Sequence, residues 1–95
     1  MNDATSDSAS SIVMYESNWC GYCRAAKRLL ATKGWEYESI VVDGDASLRE
    51  QMTARAGRTS VPQIFFGDRH IGGFDDLAEL EQNGELDEAY ESIGS

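Results

Sequence analysis

Ninety-five residues with 17 acidic and 8 basic side chains, a net charge of −9 and two cysteines describe one small acidic domain. A chain this short cannot enclose a large cavity, so any site is a surface groove for something small or extended. Eight acids and no basic residue lie from Asp75 onward, a distribution that would repel a phosphate backbone and argues against nucleic-acid binding.

Residues 1–11 contain no Lys or Arg and no apolar run, so they read as a disordered polar tail rather than a secretory leader, with the folded domain spanning 12–95. No stretch approaches the roughly eighteen apolar residues of a membrane span. The expected protein is cytoplasmic, free of membrane and monomeric.

Ile12-Val13-Met14-Tyr15 is an apolar run between that tail and Ser17-Asn18, and predicts a buried strand. A helix follows over 21–33, with Cys23, Ala26 and Leu30 on one face and Leu29 beside them. Gly34 supplies the left-handed residue that ends it. Residues 36–42 become β-branched towards Val41-Val42 and predict a second strand. Asp43-Gly44-Asp45 is a turn. Asp45 or Ser47 then caps a helix in which Leu48, Met52 and Ala56 recur, and Ser47 with Glu50 also fits a capping box. Gln63-Ile64-Phe65-Phe66 and Arg69-His70-Ile71 predict a hairpin around Gly67-Asp68, broken by Gly72-Gly73. Asp75 stands where an N-cap is expected, before a helix bearing Leu77 and Leu80 that ends at Asn83-Gly84. Leu86, Ala89, Tyr90 and Ile93 give a last short helix. The order βαβ followed by ββα predicts an α/β fold of the thioredoxin-like kind, a four-stranded mixed sheet with helices on both faces.

The cysteines are the chemical signal. Cys20 and Cys23 are three residues apart at the predicted start of a helix. A structural disulfide closing so short a loop would stabilise the fold little. Intrachain zinc lacks ligands, because the chain offers only one histidine, His70, besides the pair. His70 itself reads as a solvated strand residue. A redox-active pair remains. Helix N–H groups and the positive end of the dipole favour a thiolate at Cys20, and Arg24 and Lys27 add positive charge nearby. Cys23 falls one turn later on the core face and suits a resolving thiol. Trp19 reads as partly packed and as excluding water from the neighbouring sulfur. Pro62, the only proline, precedes a strand. A cis Val61-Pro62 bond would turn the Val61 backbone outward, and a trans bond would simply start the strand.

Three blocks, Trp19-Cys20-Gly21-Tyr22-Cys23, Gly57 to Phe65 and Ile71 to Leu77, resemble in order and spacing the signatures of dithiol glutaredoxins of the short bacterial class. The resemblance runs from about Ile12 to Ile93. It implies a cis Val61-Pro62 bond and a glutathione-dependent disulfide oxidoreductase with Cys20 as nucleophile and Cys23 as resolving thiol. Glutathione is then the co-substrate, and glutathionylated or disulfide-containing proteins are the partners. The resemblance also implies a glutathione groove of Tyr22, Arg58, Ser60, Val61, Pro62, Gly73, Asp75 and Asp76. Val61 would pair with the cysteinyl backbone, Arg58 would lie towards the glycine carboxylate, and Asp75 and Asp76 would hold the γ-glutamyl end. The sequence departs from the pattern at Gly21, where the family usually has proline, at Ser17, where it often has lysine, and at Phe74, where some bacterial members have a further cysteine. Two alternatives remain. A thioredoxin would carry proline at Tyr22 and lack the Gly72 to Asp76 block. A [2Fe–2S] cluster bridging two chains through Cys20 and two glutathiones is permitted by Gly21.

Overall fold

The computed structural model describes residues 12–94. The polar tail expected over 1–11 and residue 95 lie outside the described residues. Four strands, β1 (Ile12–Glu16), β2 (Glu38–Val41), β3 (Gln63–Phe66) and β4 (Arg69–Gly72), form one sheet in the order β2-β1-β3-β4. β1 pairs parallel to β2 and antiparallel to β3, and β3 pairs antiparallel to β4. The helices are α1 (Gly21–Lys33), α2 (Ala46–Ala56), α3 (Phe74–Gln82) and α4 (Leu86–Glu91), followed by a 3-10 turn, Ser92–Gly94. Among the described residues no helix is long and apolar enough to cross a membrane.

The two faces of the sheet follow from strand alternation. Ile12, Met14, Ile64, Phe66 and Ile71 point to one side, where Ala26 and Leu30 of α1, Leu77 of α3 and Leu86 and Ala89 of α4 cover them. Tyr15 and Phe65 point to the other, where Met52 of α2 packs with Val42. Helices therefore lie on both faces, as the element order predicts. Helix α4 is also tied down by Tyr90, which stacks on Trp35 at 4.0 Å, and by Asp87, which Lys33 reaches at 3.0 Å while also meeting Glu81 of α3 at 2.8 Å.

Three boundaries differ from expectation. β2 is shorter than 36–42, covering Glu38–Val41, although the Val42 N–H still donates to the Glu16 carbonyl at 2.9 Å. Asp45 alone caps α2, accepting from the Leu48 N–H at 3.0 Å, so Ser47 lies inside the helix and the Ser47–Glu50 box does not form. Asp75 is not the N-cap of α3. Gly73 is, and the Asp76 carboxylate reaches back to accept the Gly73 N–H at 2.9 Å. This places Asp75 and Asp76 in the first turn, where the dipole favours negative charge. Gly72 makes the reach-back feasible. Its φ is +119°, and a Cβ there would stand 2.2 Å from Asp76 Oδ2.

Candidate functional site

Cys20 is the N-cap of α1, with extended backbone angles, and its sulfur accepts the Cys23 N–H at 3.1 Å. Negative charge on that sulfur is thereby met by a backbone dipole at the helix start. The same sulfur stands 3.7 Å from the Val61 carbonyl, across the cis Val61-Pro62 bond. Both cysteines are free thiols; Cys20 is partly exposed and Cys23 is buried. Burial first, and then hydrogen bonding to Cys20, push the Cys23 thiol from the ordinary 9.0 up to about 12. An accessible sulfur beside a buried, protonated one is the arrangement that exchange with delayed resolution needs.

That shift has a consequence for stability. Between about 9 and about 12 the folded form keeps a proton that the unfolded chain releases. The contribution of this thiol is complete below that window and is lost as pH rises through it. In reducing buffer, the melting temperature of the parent should fall relative to Cys23→Ala as pH is raised from about 8 to about 11. Parallel melting curves across that range would contradict the assignment of a protonated Cys23.

A groove of about 250 Å³ opens beside Cys20, lined by Tyr22, Arg58, Ser60, Val61, Pro62, Gly73, Phe74, Asp75 and Asp76. The structure thus brings together every groove residue named from the resemblance. It adds Phe74, whose ring stacks on Tyr22 with centroids 6.4 Å apart. Arg58 and Asp76 do not sit apart. They form an ion pair at 3.2 Å, each half-exposed. The Gly73 N–H, and after it Arg58, hold the Asp76 carboxyl below the ordinary carboxylate range. A ligand with both a cation and a carboxylate can exchange partners with such a weak pair at small cost.

Gln63 supports the Val61 loop from beneath. It is fully buried, and its side-chain amide donates to the Ser60 carbonyl at 3.0 Å and the Ser60 hydroxyl at 3.3 Å. His70 Nε2 meets Gln63 Oε1 at 2.7 Å, and its ring lies 4.9 Å from Phe65. His70 is therefore a half-buried prop of this loop, not a solvated strand residue. Burial, with the nearby charge of Arg58, pushes its imidazole below the ordinary value and favours the neutral ring.

Two further expectations are corrected. Trp19 is 91% exposed, so it is not packed into the fold. Lys27 is occupied elsewhere: its ammonium lies 2.6 Å from Glu16 Oε1. Glu16 is fully buried at the end of β1 and also accepts from the Ser39 hydroxyl. Among the described residues no group of three or more His, Cys, Asp and Glu side chains clusters to hold a metal ion. A cluster shared between two chains would draw only Cys20 from each, and nothing in this geometry selects it over exchange.

A sequence model described as glutaredoxin matches residues 12–71. The chain belongs to the glutaredoxin family. A glutaredoxin of Pseudomonas aeruginosa is 47% identical over 76 residues, covering 80% of this chain and 90% of that one. Glutaredoxin 3 of Escherichia coli K12 is likewise 47% identical over 76 residues, covering 80% of this chain and 92% of that one. The crystal structure of a buckwheat glutaredoxin–glutathione complex superposes with a TM-score of 0.82 at 28% identity, covering 92% of this chain and 82% of that one. Membership places this glutaredoxin among the thiol–disulfide oxidoreductases, and the mixed sheet with helices on both faces is the thioredoxin-like fold of those structures.

Proposed function

We propose that the protein is a cytoplasmic, glutathione-dependent reductant of protein–glutathione mixed disulfides and of protein disulfides, acting as a monomer. The observation that carries this reading is the placement of the Cys20 sulfur between the Cys23 N–H and the Val61 carbonyl, at the edge of a groove with an ion pair in its wall. Glutathione presents a thiol, an ammonium and two carboxylates. The groove offers an extended backbone at Val61, a guanidinium at Arg58, a carboxylate at Asp76 and the first-turn N–H groups of α3. The buckwheat relative, similar in fold, is described as a glutathione complex.

In this reading the Cys20 thiolate attacks the glutathione sulfur of a mixed disulfide. The Cys20–glutathione disulfide forms, the original disulfide breaks, and the protein thiolate leaves and takes a proton from solvent. A second glutathione thiolate then attacks the glutathione sulfur held on Cys20, releasing oxidised glutathione and the Cys20 thiolate. With a protein disulfide, the Cys20 thiolate first bonds to one substrate sulfur, the substrate S–S bond breaks, and the other substrate sulfur leaves as a thiolate that takes a proton from solvent. Cys23 then loses its proton and attacks Cys20, the mixed disulfide breaks, and the substrate departs with both sulfurs reduced. Glutathione restores the Cys20–Cys23 pair by two such exchanges.

Arg58 provides the test. Arg58→Ala should raise the apparent KM for a glutathione mixed disulfide about fivefold with kcat within about twofold, because a half-exposed charge contact is worth no more than about 1 kcal/mol. Steady-state turnover of a small glutathionylated thiol, coupled to glutathione reductase, measures both constants. An unchanged KM would remove Arg58 from the glutathione site.

A further inference from the structure

Two large apolar side chains are exposed among the described residues, Trp19 at 91% and Tyr22 at 65%, and they flank Cys20. Tyr22 is accounted for, because it lines the groove and stacks on Phe74. Trp19 lines no part of that groove and has no partner among the aromatic contacts of the described residues. An indole displayed to water leaves a large apolar area unburied, which contact with a partner would remove from solvent.

The indole is also presented on a fixed loop. The Trp19 backbone N–H donates to the Ser17 hydroxyl at 3.2 Å, and the Asn18 backbone N–H donates to Asp43 Oδ2 at 2.8 Å. That N–H, and after it the Ser17 side chain, hold the Asp43 carboxyl below its ordinary range. The loop of Ser17, Asn18 and Trp19 is thus tied to the turn after β2. Little backbone freedom remains to be lost when something settles on the ring.

We infer that Trp19 is a specificity-determining residue that takes an apolar side chain beside the oxidised cysteine of a polypeptide substrate. The inference rests on Cys20 being the attacking sulfur. The occupant follows from continuity: the indole adjoins Cys20 but lies off the groove assigned to glutathione. A chain that exchanges its sulfur with Cys20 brings its neighbouring residues to the same edge. Tryptophan is the side chain most enriched at binding hot spots, since it buries a large area with little rotamer entropy.

The test uses three disulfides of 5-thio-2-nitrobenzoate: one with 2-mercaptoethanol, one with a peptide bearing Leu beside its cysteine, and one with Gly in place of that Leu. In each, the Cys20 thiolate bonds to the peptide or mercaptoethanol sulfur as the coloured thiolate leaves. The parent should react about tenfold faster with the Leu peptide than with the Gly peptide, equivalent to about 1.4 kcal/mol. Trp19→Ala should bring that ratio close to one and leave the mercaptoethanol rate within about twofold. The inference is overturned by a parent with no Leu preference, by a preference that survives in Trp19→Ala, or by equal slowing of all three. Failure of the nucleophile assignment is seen separately, as Cys20→Ser releasing the coloured thiolate at the parental rate.

Discussion

Cys20→Ser should show no glutathione-dependent turnover above background, a loss of at least about a thousandfold, whereas Cys23→Ser should retain most turnover of glutathione mixed disulfides. The asymmetry follows from where the two sulfurs lie. Cys20 is partly exposed at the groove edge and receives a helix N–H; Cys23 is buried and keeps its proton up to about 12. A serine hydroxyl at position 20 is a far weaker nucleophile and leaving group, so no route through that residue survives. A serine at position 23 removes only resolution. Its cost should fall on substrates in which both sulfurs of a disulfide must be reduced, read as reduction of a protein disulfide against turnover of a small glutathionylated thiol. Equal loss of both activities in Cys23→Ser would mean that Cys23 also supports the first attack.

Lys27→Met should destabilise the fold by about 2–3 kcal/mol, lowering the melting temperature by about 10 °C or more. Glu16 is fully buried, and its partners are the Lys27 ammonium at 2.6 Å and the Ser39 hydroxyl. Removing the ammonium leaves a buried carboxylate with a single hydroxyl partner, which costs much more than the intact pair contributes. Lys27 is only half-buried, so its own desolvation is small and solvent softens the effect. The double variant Glu16→Met with Lys27→Met should recover most of the loss, because it leaves no orphaned charge. A double variant as unstable as Lys27→Met alone would show that shape, not charge, makes the difference.

The sheet and helices were legible in the sequence because burial follows period. The apolar run from Ile12 to Tyr15 and the stripe of Cys23, Ala26 and Leu30 marked a strand and a helix, and the structure buries these side chains, Val13 only partly. The start of α3 was not legible in this way. Its N-cap is a glycine, which carries no side-chain signal, and the group that closes the turn sits three residues later at Asp76. Glu16 was missed because a charged residue where a strand gives way to Ser17-Asn18 reads as the exit to solvent. Its burial depends on Lys27 and Ser39, which are distant in the chain. Trp19 misled in the opposite direction: tryptophan predicts packing, yet the Asp43 and Ser17 hydrogen bonds fix a loop that displays it. The motif blocks named the groove residues, but Phe74 was read only as the absence of a cysteine, and its stacking on Tyr22 required the fold.

The central claim is that glutathione is the working reductant at Cys20. The most direct measurement is parental turnover of a small glutathione mixed disulfide, first with glutathione and glutathione reductase, then with thioredoxin reductase in their place. The account predicts saturable turnover that requires glutathione and does not proceed with thioredoxin reductase alone. Turnover sustained by thioredoxin reductase without glutathione, or no turnover with either, would contradict it.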